Sequence, residues 1–201
     1  MTLEEFRANV FKFMQEDKWD LAAVSIARYF KEDPLDDEIR SVCGLIYSSM
    51  ESNGIEFEPM TSEEFLWRGI CRRTDTMDIF EALRDYGRAV KLNPTNHYAL
   101  KWRAQWYHKA TLFKEAKTDL LKAISISEQA EYYNDLAKVC TSEQDYESAL
   151  FYNHKAVALK PGYDAYLFNT GWTFQLLGKK EYAEAIYDKL KITPDFWKPI
   201  S

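Results

Sequence analysis

Small and apolar residues recur along this chain at a period close to 34 residues. Four alanines are separated by 34, 33 and 34 residues, and each is followed seven positions later by a second small or aliphatic residue. The two series are Ala82, Ala116, Ala149 and Ala183, and Ala89, Ala123, Ala156 and Leu190. Because residues seven positions apart share one stripe of an α-helix, the pattern predicts one helix in every repeat.

A second series of small residues predicts another helix in each repeat. The small residues of this series, Ala104, Ala137 and Gly171, are separated by 33 and 34 residues. Each is followed three positions later by a larger residue: Tyr107, Cys140 and Phe174. Small side chains on both helices let the two axes approach closely. Prolines then end the second helices, at Pro94, Pro161 and Pro194, while Glu128 stands where another proline was expected. Each repeat is therefore predicted to be a helical hairpin.

The N-terminal part of the chain departs from this period. Trp19, Ala22, Tyr29 and Pro34 have the internal spacing of a repeat, but only 60 residues separate Ala22 from Ala82, and two full repeats would need about 68. Residues 37–52 predict one helix, and residues 53–60 contain Gly and Pro without a helical period. A helix is predicted to restart after Thr-Ser-Glu-Glu at 61–64, which has the spacing of a capping box.

These patterns together predict an all-α chain of about eleven helices. Residues 1–52 are expected to form an acidic unit of one hairpin and one extra helix, and residues 53–60 a crossover loop. Four hairpins are expected over residues 61–192, and a C-terminal aromatic tail over residues 193–201.

The recurring positions resemble those of the tetratricopeptide repeat (TPR) family, whose period is about 34 residues. The resemblance is carried by ALRDYGRAVKLNP, AKTDLLKAISISE and ALFYNHKAVALKP, and it covers residues 62–194. It implies a right-handed superhelical solenoid in which the first helices of successive hairpins line a concave groove. It also implies a protein or peptide as the partner of that groove.

Helical spacing on these first helices nominates the residues of a groove. The set combines aromatic rings with amide, ammonium and imidazole groups: Trp67, Tyr98, Lys101, Gln105, His108, Lys109, Asn134, Lys138, Phe168 and Trp172. Rings of this kind bury apolar area of a bound peptide, while amide and ammonium groups bond its carbonyl oxygens. The expected function is that of an adaptor or a chaperone-like protein. The alternative for these aromatic residues is packing between neighbouring helices.

One well-known TPR subclass binds acidic C-termini through a carboxylate clamp, and this chain departs from its pattern. Lys101 fits the first position, but Gln105 and Asp135 replace two asparagines, and Ala165 and Asn169 replace the final basic pair. Starting one repeat earlier puts Glu131 and Asp135 where the basic pair belongs. Carboxylates there would repel the carboxylate of the ligand, so this binding mode is disfavoured.

Composition narrows the partner classes further. The 201 residues carry 26 Lys+Arg against 32 Asp+Glu, a formal charge of -6, which disfavours binding to nucleic acid. The N-terminal sequence has no basic and apolar leader, and no apolar run approaches the roughly 18 residues that span a bilayer. We therefore expect a cytoplasmic protein without a membrane partner.

Motifs for catalysis, metals and cofactors are missing from the sequence. There are 3 histidines, and the serine-hydrolase, zinc-protease, P-loop and dinucleotide-binding signatures do not occur. The 3 cysteines have no paired spacing of the kind that binds zinc. The sequence therefore predicts a non-enzymatic protein without a metal or cofactor.

The two ends of the chain suggest an alternative function. Residues 1–64 hold 6 Lys+Arg and 15 Asp+Glu, so the remainder is slightly basic. The C-terminal sequence ITPDFWKPIS places Phe196 and Trp197 between prolines, where a helix is not expected. This tail is expected to fold back over the last hairpin, or else to dock on another molecule. In the second case the protein would be a self-assembling module, for example a homodimer.

Overall fold

The computed structural model describes residues 3–16, 18–19, 21–22, 24–26, 46–50, 52–55, 58–71 and 79–190. In those ranges the regular structure is entirely helical, and no β-strand occurs. Nine helices have defined ends: α1 Leu3–Gln15, α2 Ser62–Cys71, α3 Ile79–Leu92, α4 His97–Lys109, α5 Phe113–Ile126, α6 Ala130–Ser142, α7 Tyr146–Leu159, α8 Asp164–Leu176 and α9 Lys180–Lys189. Residues 21–22, 24–26 and 46–50 are also helical. The prediction of an all-α fold with about eleven helices is confirmed.

The chain divides into two compact units, residues 1–106 and residues 107–201. The first unit contains the α2–α3 hairpin, and the second contains the α6–α7 and α8–α9 hairpins. The predicted division at residues 52, 60 and 192 stays a prediction.

Helix α2 begins with the capping box that the sequence predicts. The Glu64 backbone N–H donates to Thr61 Oγ1 over 3.2 Å, and the Thr61 backbone N–H donates to Glu64 Oε2 over 3.1 Å. The side chain of Asn96 caps the N-terminus of α4, because its Oδ1 accepts a hydrogen bond from the Ala99 backbone N–H at 3.0 Å. Asn96 Nδ2 also donates to Ser62 Oγ, and Ser62 donates to the Ala89 carbonyl. This chain of hydrogen bonds ties the start of α4 to both helices of the α2–α3 hairpin.

One turn geometry recurs between successive helices of the second unit. Thr111, Gln144 and Gly178 adopt left-handed backbone with φ of 59°, 64° and 74°. The N–H of the next residue reaches back five positions in each turn, as in Asp145 N–H to Cys140 O at 2.9 Å. This is the Schellman arrangement, which satisfies the free carbonyls at the end of a helix. The larger members of the second sequence series, Tyr107, Cys140 and Phe174, supply those carbonyls.

The small residues of the repeat mark close contacts between paired helices. A Cβ at Gly69 would lie 2.7 Å from Cε1 of Tyr86, and a Cβ at Gly171 would lie 2.6 Å from Cε1 of Tyr187. Both tyrosines are buried on the second helix of the same hairpin. Gly69 precedes Ala104 by 35 residues and therefore extends the small-residue series by one repeat. Glycine is required at these two positions because a ring occupies the space of a methyl group.

Candidate functional site

A cavity of about 490 Å³ lies in the second unit, mainly between α6 and α8. Its walls combine aromatic, hydroxyl, amide and cationic side chains. The lining residues are His108, Ala137, Lys138, Thr141, Ser142, Asn153, Phe168, Asn169, Trp172 and Thr173. Most of them belong to the first helices of the two hairpins, which are the helices that the repeat pattern assigns to the groove.

The aromatic wall of the cavity comes from α8. Phe168 and Trp172 are four residues apart, so they share one face of the helix. The Phe168 ring lies 6.0 Å from the ring of Tyr187, which fixes one side of it against α9. Trp172 is 39% exposed, so part of its ring is open to solvent. This wall can cover the apolar part of a ligand.

The opposite wall comes from α6 and is polar. Thr141 and Ser142 donate their hydroxyl protons to the carbonyls of Ala137 and Lys138, one turn earlier on the helix. His108, near the end of α4, shares a 2.7 Å hydrogen bond with Ser142 through its Nε2. Its ring also lies 5.9 Å from that of Phe113. The hydroxyl side chains are therefore held in place before any ligand binds.

Amide side chains form a network behind the cavity. Asn169 Nδ2 donates to Asn134 Oδ1 over 2.6 Å, which joins α8 to α6. Asn153, on α7 and fully buried, donates through Nδ2 to the Asn169 carbonyl at 3.3 Å and to Thr173 Oγ1 at 3.2 Å. Its Oδ1 is buried and accepts no hydrogen bond from the described part of the chain. The network fixes the orientation of α8 relative to α6 and α7.

The charges around the cavity nearly compensate one another. Lys138 Nζ lies 3.2 Å from Oδ1 of Asp135, whose side chain is almost fully buried. Burial lowers the pKa of His108 from its ordinary value of 6.5; Asp135 opposes that shift and Lys138 adds to it. His108 is therefore neutral at pH 7. The cavity is best suited to a ligand without a large net charge.

Four of the ten sequence-predicted groove residues line this cavity: His108, Lys138, Phe168 and Trp172. Asn134 joins them indirectly, through its bond to Asn169. Lys109 is exposed elsewhere on the second unit, and Tyr98 and Gln105 are half-buried residues of the first unit.

Three of the predicted groove residues are buried: Trp67, Lys101 and Asn134. Trp67 is 0% exposed and Lys101 is 1% exposed, with Lys101 Nζ lying 3.9 Å from the ring centroid of Trp102. The ammonium group makes a cation–π contact there. Neither Trp67 nor Lys101 is offered to solvent, and both are therefore left out of the candidate site. Phe196 and Trp197, predicted to mediate self-association, lie outside the described residues.

Helical spacing places Thr141 on the inward face with Lys138, but it did not nominate four other hydroxyl and amide residues of the cavity, Ser142, Asn153, Asn169 and Thr173. Asn153 had a detectable signal, because it is a polar residue at a position where the other hairpins have Tyr86, Leu120 and Tyr187. Those four residues each follow the first alanine of the second helix by four positions. Asn169 had none beyond its place one turn before Thr173 on α8.

Clusters of metal-binding side chains and membrane-spanning helices are two further features that bear on function. Among the described residues, no group of three or more His, Cys, Asp or Glu side chains is arranged to hold a metal ion. No described helix has the length and hydropathy needed to cross a membrane.

Comparison with known proteins gives matches in structure alone. No protein-family model matches the sequence, and no curated protein matches it. The structure is similar to that of PilW, described as a widely conserved type IV pilus biogenesis factor, with a TM-score of 0.64 and 17% identity over 97% of this chain and 94% of PilW. It is also similar to MamA, with a TM-score of 0.55 and 18% identity over 94% of this chain and 92% of MamA. MamA 41-end from Desulfovibrio magneticus RS-1 matches with a TM-score of 0.56 and 15% identity, over 94% and 93% of the two chains.

At these identities the matches establish the fold. PilW and MamA are both TPR-repeat proteins, and the coverage extends over nearly the whole of each chain. The hairpins, their period and these neighbours agree, and the chain is a protein of the tetratricopeptide repeat fold.

Proposed function

We propose that this chain is a non-enzymatic protein-interaction module, an adaptor or chaperone-like protein, that holds an extended peptide segment of a partner in the groove between α6 and α8. The single observation that carries this proposal is the cavity itself, where an exposed tryptophan faces a row of hydroxyl and amide groups. An extended peptide needs both features, an apolar surface for its side chains and polar partners for its backbone.

The aromatic wall supplies most of the expected binding energy. Rigid rings that become fully buried on binding contribute much of the binding energy of an interface, and tryptophan is enriched among these residues. Trp172 lines the cavity, and its side chain has only two rotatable bonds, so it loses little conformational freedom when it is covered. The polar wall then sets the register of the peptide.

The charges favour an internal segment of the partner over its C-terminal carboxylate. Lys138 is half exposed, but its ammonium group is already paired with Asp135. A terminal carboxylate would approach Asp135 as well as Lys138, and the two interactions would largely cancel. This agrees with the departure from the carboxylate-clamp pattern.

Selection from a random 12-residue peptide library displayed on phage tests the proposal. Selected peptides are synthesised, and their affinities for the full chain are measured by titration calorimetry. We expect Trp172→Ala to weaken binding by at least about tenfold, since hot-spot rings contribute roughly 2 kcal/mol or more.

Phe151→Ala is the matched control. Phe151 is 57% exposed on α7 and does not line the cavity, so its removal changes exposed aromatic area without changing the groove. Affinities unchanged by Phe151→Ala and weakened by Trp172→Ala support the proposal. Failure to select any peptide, or equal binding to wild type and Trp172→Ala, contradicts it.

A further inference from the structure

Asn153 carries an unpaired polar atom in the interior. It is 0% exposed, and a buried carbonyl oxygen without a donor destabilises the folded chain. Leu120 occupies the equivalent position 33 residues earlier, so the fold accommodates an apolar side chain there. The two hydrogen bonds of Nδ2 account for the amide nitrogen, but no donor in the described residues accounts for Oδ1, and a ligand that donates a hydrogen bond would do so.

The orientation of the Asn153 amide is fixed by its neighbours. Nδ2 donates to Asn169 O and to Thr173 Oγ1, and Thr173 Oγ1 itself donates to the same carbonyl. Turning the amide over would place Oδ1 against a carbonyl oxygen, and two acceptors would then face each other. The amide is thereby held with Nδ2 on its α8 partners, which leaves Oδ1 as the unpaired acceptor of a residue that lines the cavity.

A ligand group that reaches Oδ1 must have a donor at its tip and an apolar body. The donor must sit deep, because Asn153 is fully buried and only a side chain that enters the cavity and displaces a lining side chain can reach it. The body of that side chain must pass Phe168 and Trp172, whose rings favour stacking with another ring.

Several protein side chains can donate a hydrogen bond to Asn153, and their charge determines which of them suits the cavity. Lysine and arginine carry a cation, which would be desolvated in the cavity without a free carboxylate to pair with, because Asp135 is already paired with Lys138. Tryptophan and tyrosine have a neutral N–H or O–H at the end of an aromatic ring and meet both requirements.

We propose that the cavity is a specificity pocket that takes a tryptophan or tyrosine side chain of the bound segment, with its N–H or O–H donating to Asn153 Oδ1. This rests on the proposed peptide-binding function of the groove, and adds to it the class of residue that the partner must present. Phenylalanine fills the same space but leaves the acceptor unpaired, so it binds more weakly.

The experiment repeats the peptide selection on two proteins, the wild type and Asn153→Leu. Leucine is chosen because Leu120 stands at the equivalent position, and circular dichroism with thermal unfolding shows whether the variant is folded. One selected peptide is also made with its tryptophan or tyrosine replaced by phenylalanine.

We expect tryptophan or tyrosine at one fixed position of the peptides selected on the wild type. Phenylalanine at that position should weaken wild-type binding by about fivefold to tenfold, which corresponds to one neutral hydrogen bond of roughly 1 kcal/mol. On Asn153→Leu the preference for the donor should disappear.

Two outcomes separate this inference from the proposed function. Peptides that depend on Trp172 but show no preference for a donor, or the same preference on Asn153→Leu, overturn the inference and leave the peptide-binding function standing. If no selected peptide depends on Trp172, both are overturned. If Asn153→Leu does not fold, the phenylalanine peptide on the wild type decides: equal affinity overturns the inference.

Discussion

Asp85 is a fully buried carboxylate that holds α2 and α3 together. It accepts from Arg68 Nε at 2.9 Å and from Arg68 Nη2 at 2.7 Å, and the side chain of Arg68 is itself only 5% exposed. Two parallel hydrogen bonds make such a bidentate ion pair strong. Removing one of its residues leaves the charge of the other buried without this partner.

We predict that Asp85→Ala lowers the free energy of unfolding by about 3–5 kcal/mol, measured by urea denaturation. The double variant Arg68→Met/Asp85→Leu should recover most of that loss, because neither charge remains buried. Glu81→Ala is the control, since the Glu81–Arg84 pair is half exposed at 3.9 Å and should change stability by no more than about 0.5 kcal/mol. A loss below about 1 kcal/mol for Asp85→Ala would show that the pair does not stabilise the hairpin.

Alanine at Gly171 and alanine at Gly87 should change stability in opposite directions, because of the two only Gly171 lies at a close contact between helices. Gly171→Ala would push a methyl group into the ring of Tyr187, and we expect unfolding to become easier by about 1–3 kcal/mol. Gly87, in the interior of α3, has nothing within 4 Å of its Cβ position. Gly87→Ala should therefore stabilise the chain by about 0.5–1 kcal/mol, through the backbone alone. Thermal unfolding that shows the same sign for both variants would contradict the packing described.

The recurring Schellman turn gives a prediction at the level of the helical element. Thr111 and Gln144 adopt a left-handed backbone that Gly178 adopts without strain. We expect Thr111→Gly and Gln144→Gly each to raise the free energy of unfolding by roughly 0.5–1 kcal/mol, and Gly178→Ala to lower it by about 1 kcal/mol. Lys122→Gly, at an exposed position within α5, should instead destabilise by about 1 kcal/mol. A loss of stability in both Thr111→Gly and Gln144→Gly would rule out strain in these turns.

Helices were predictable from the sequence because their signals are local. Capping at Thr61 and the prolines that follow α3 and α7 act within a few residues of their own helix, and the recurring alanines identify the packed faces. Burial of Trp67 and Lys101 was not predictable in this way. Spacing places a side chain on a helix face, but the cover over that face depends on elements that are distant in sequence.

Sequence spacing predicted the candidate site even less completely than it predicted burial. Phe168, Trp172, Lys138 and His108 were found because they lie on first helices with regular spacing. Asn153 was missed because it belongs to a second helix, and the TPR resemblance implies that second helices form the outer layer. The structure places it among the residues that line the cavity, with hydrogen bonds to Asn169 and Thr173.

At the scale of the whole molecule, stability should fall in mild acid. Burial lowers the pKa of both His97 and His108 below 6.5, so the unfolded chain binds more protons than the folded chain as the pH drops through that value. Their neutral forms contribute stability that is complete above about pH 6.5 and is lost towards the lowered pKa values. Urea denaturation at pH 7.5 and 5.5 should show this loss, and His108→Gln should reduce it. An identical pH dependence in His108→Gln would contradict the assigned cause.

A bound peptide segment is proposed to lie between α6 and α8. A chemical-shift map of the ¹⁵N-labelled protein, recorded on titration with one selected peptide, locates that segment directly. We expect the largest shifts on backbone amides of α6 and α8, together with the side-chain amides of Asn153 and Asn169. Shifts confined to the first unit, or to the exposed side of α7 around Phe151, would contradict the proposal.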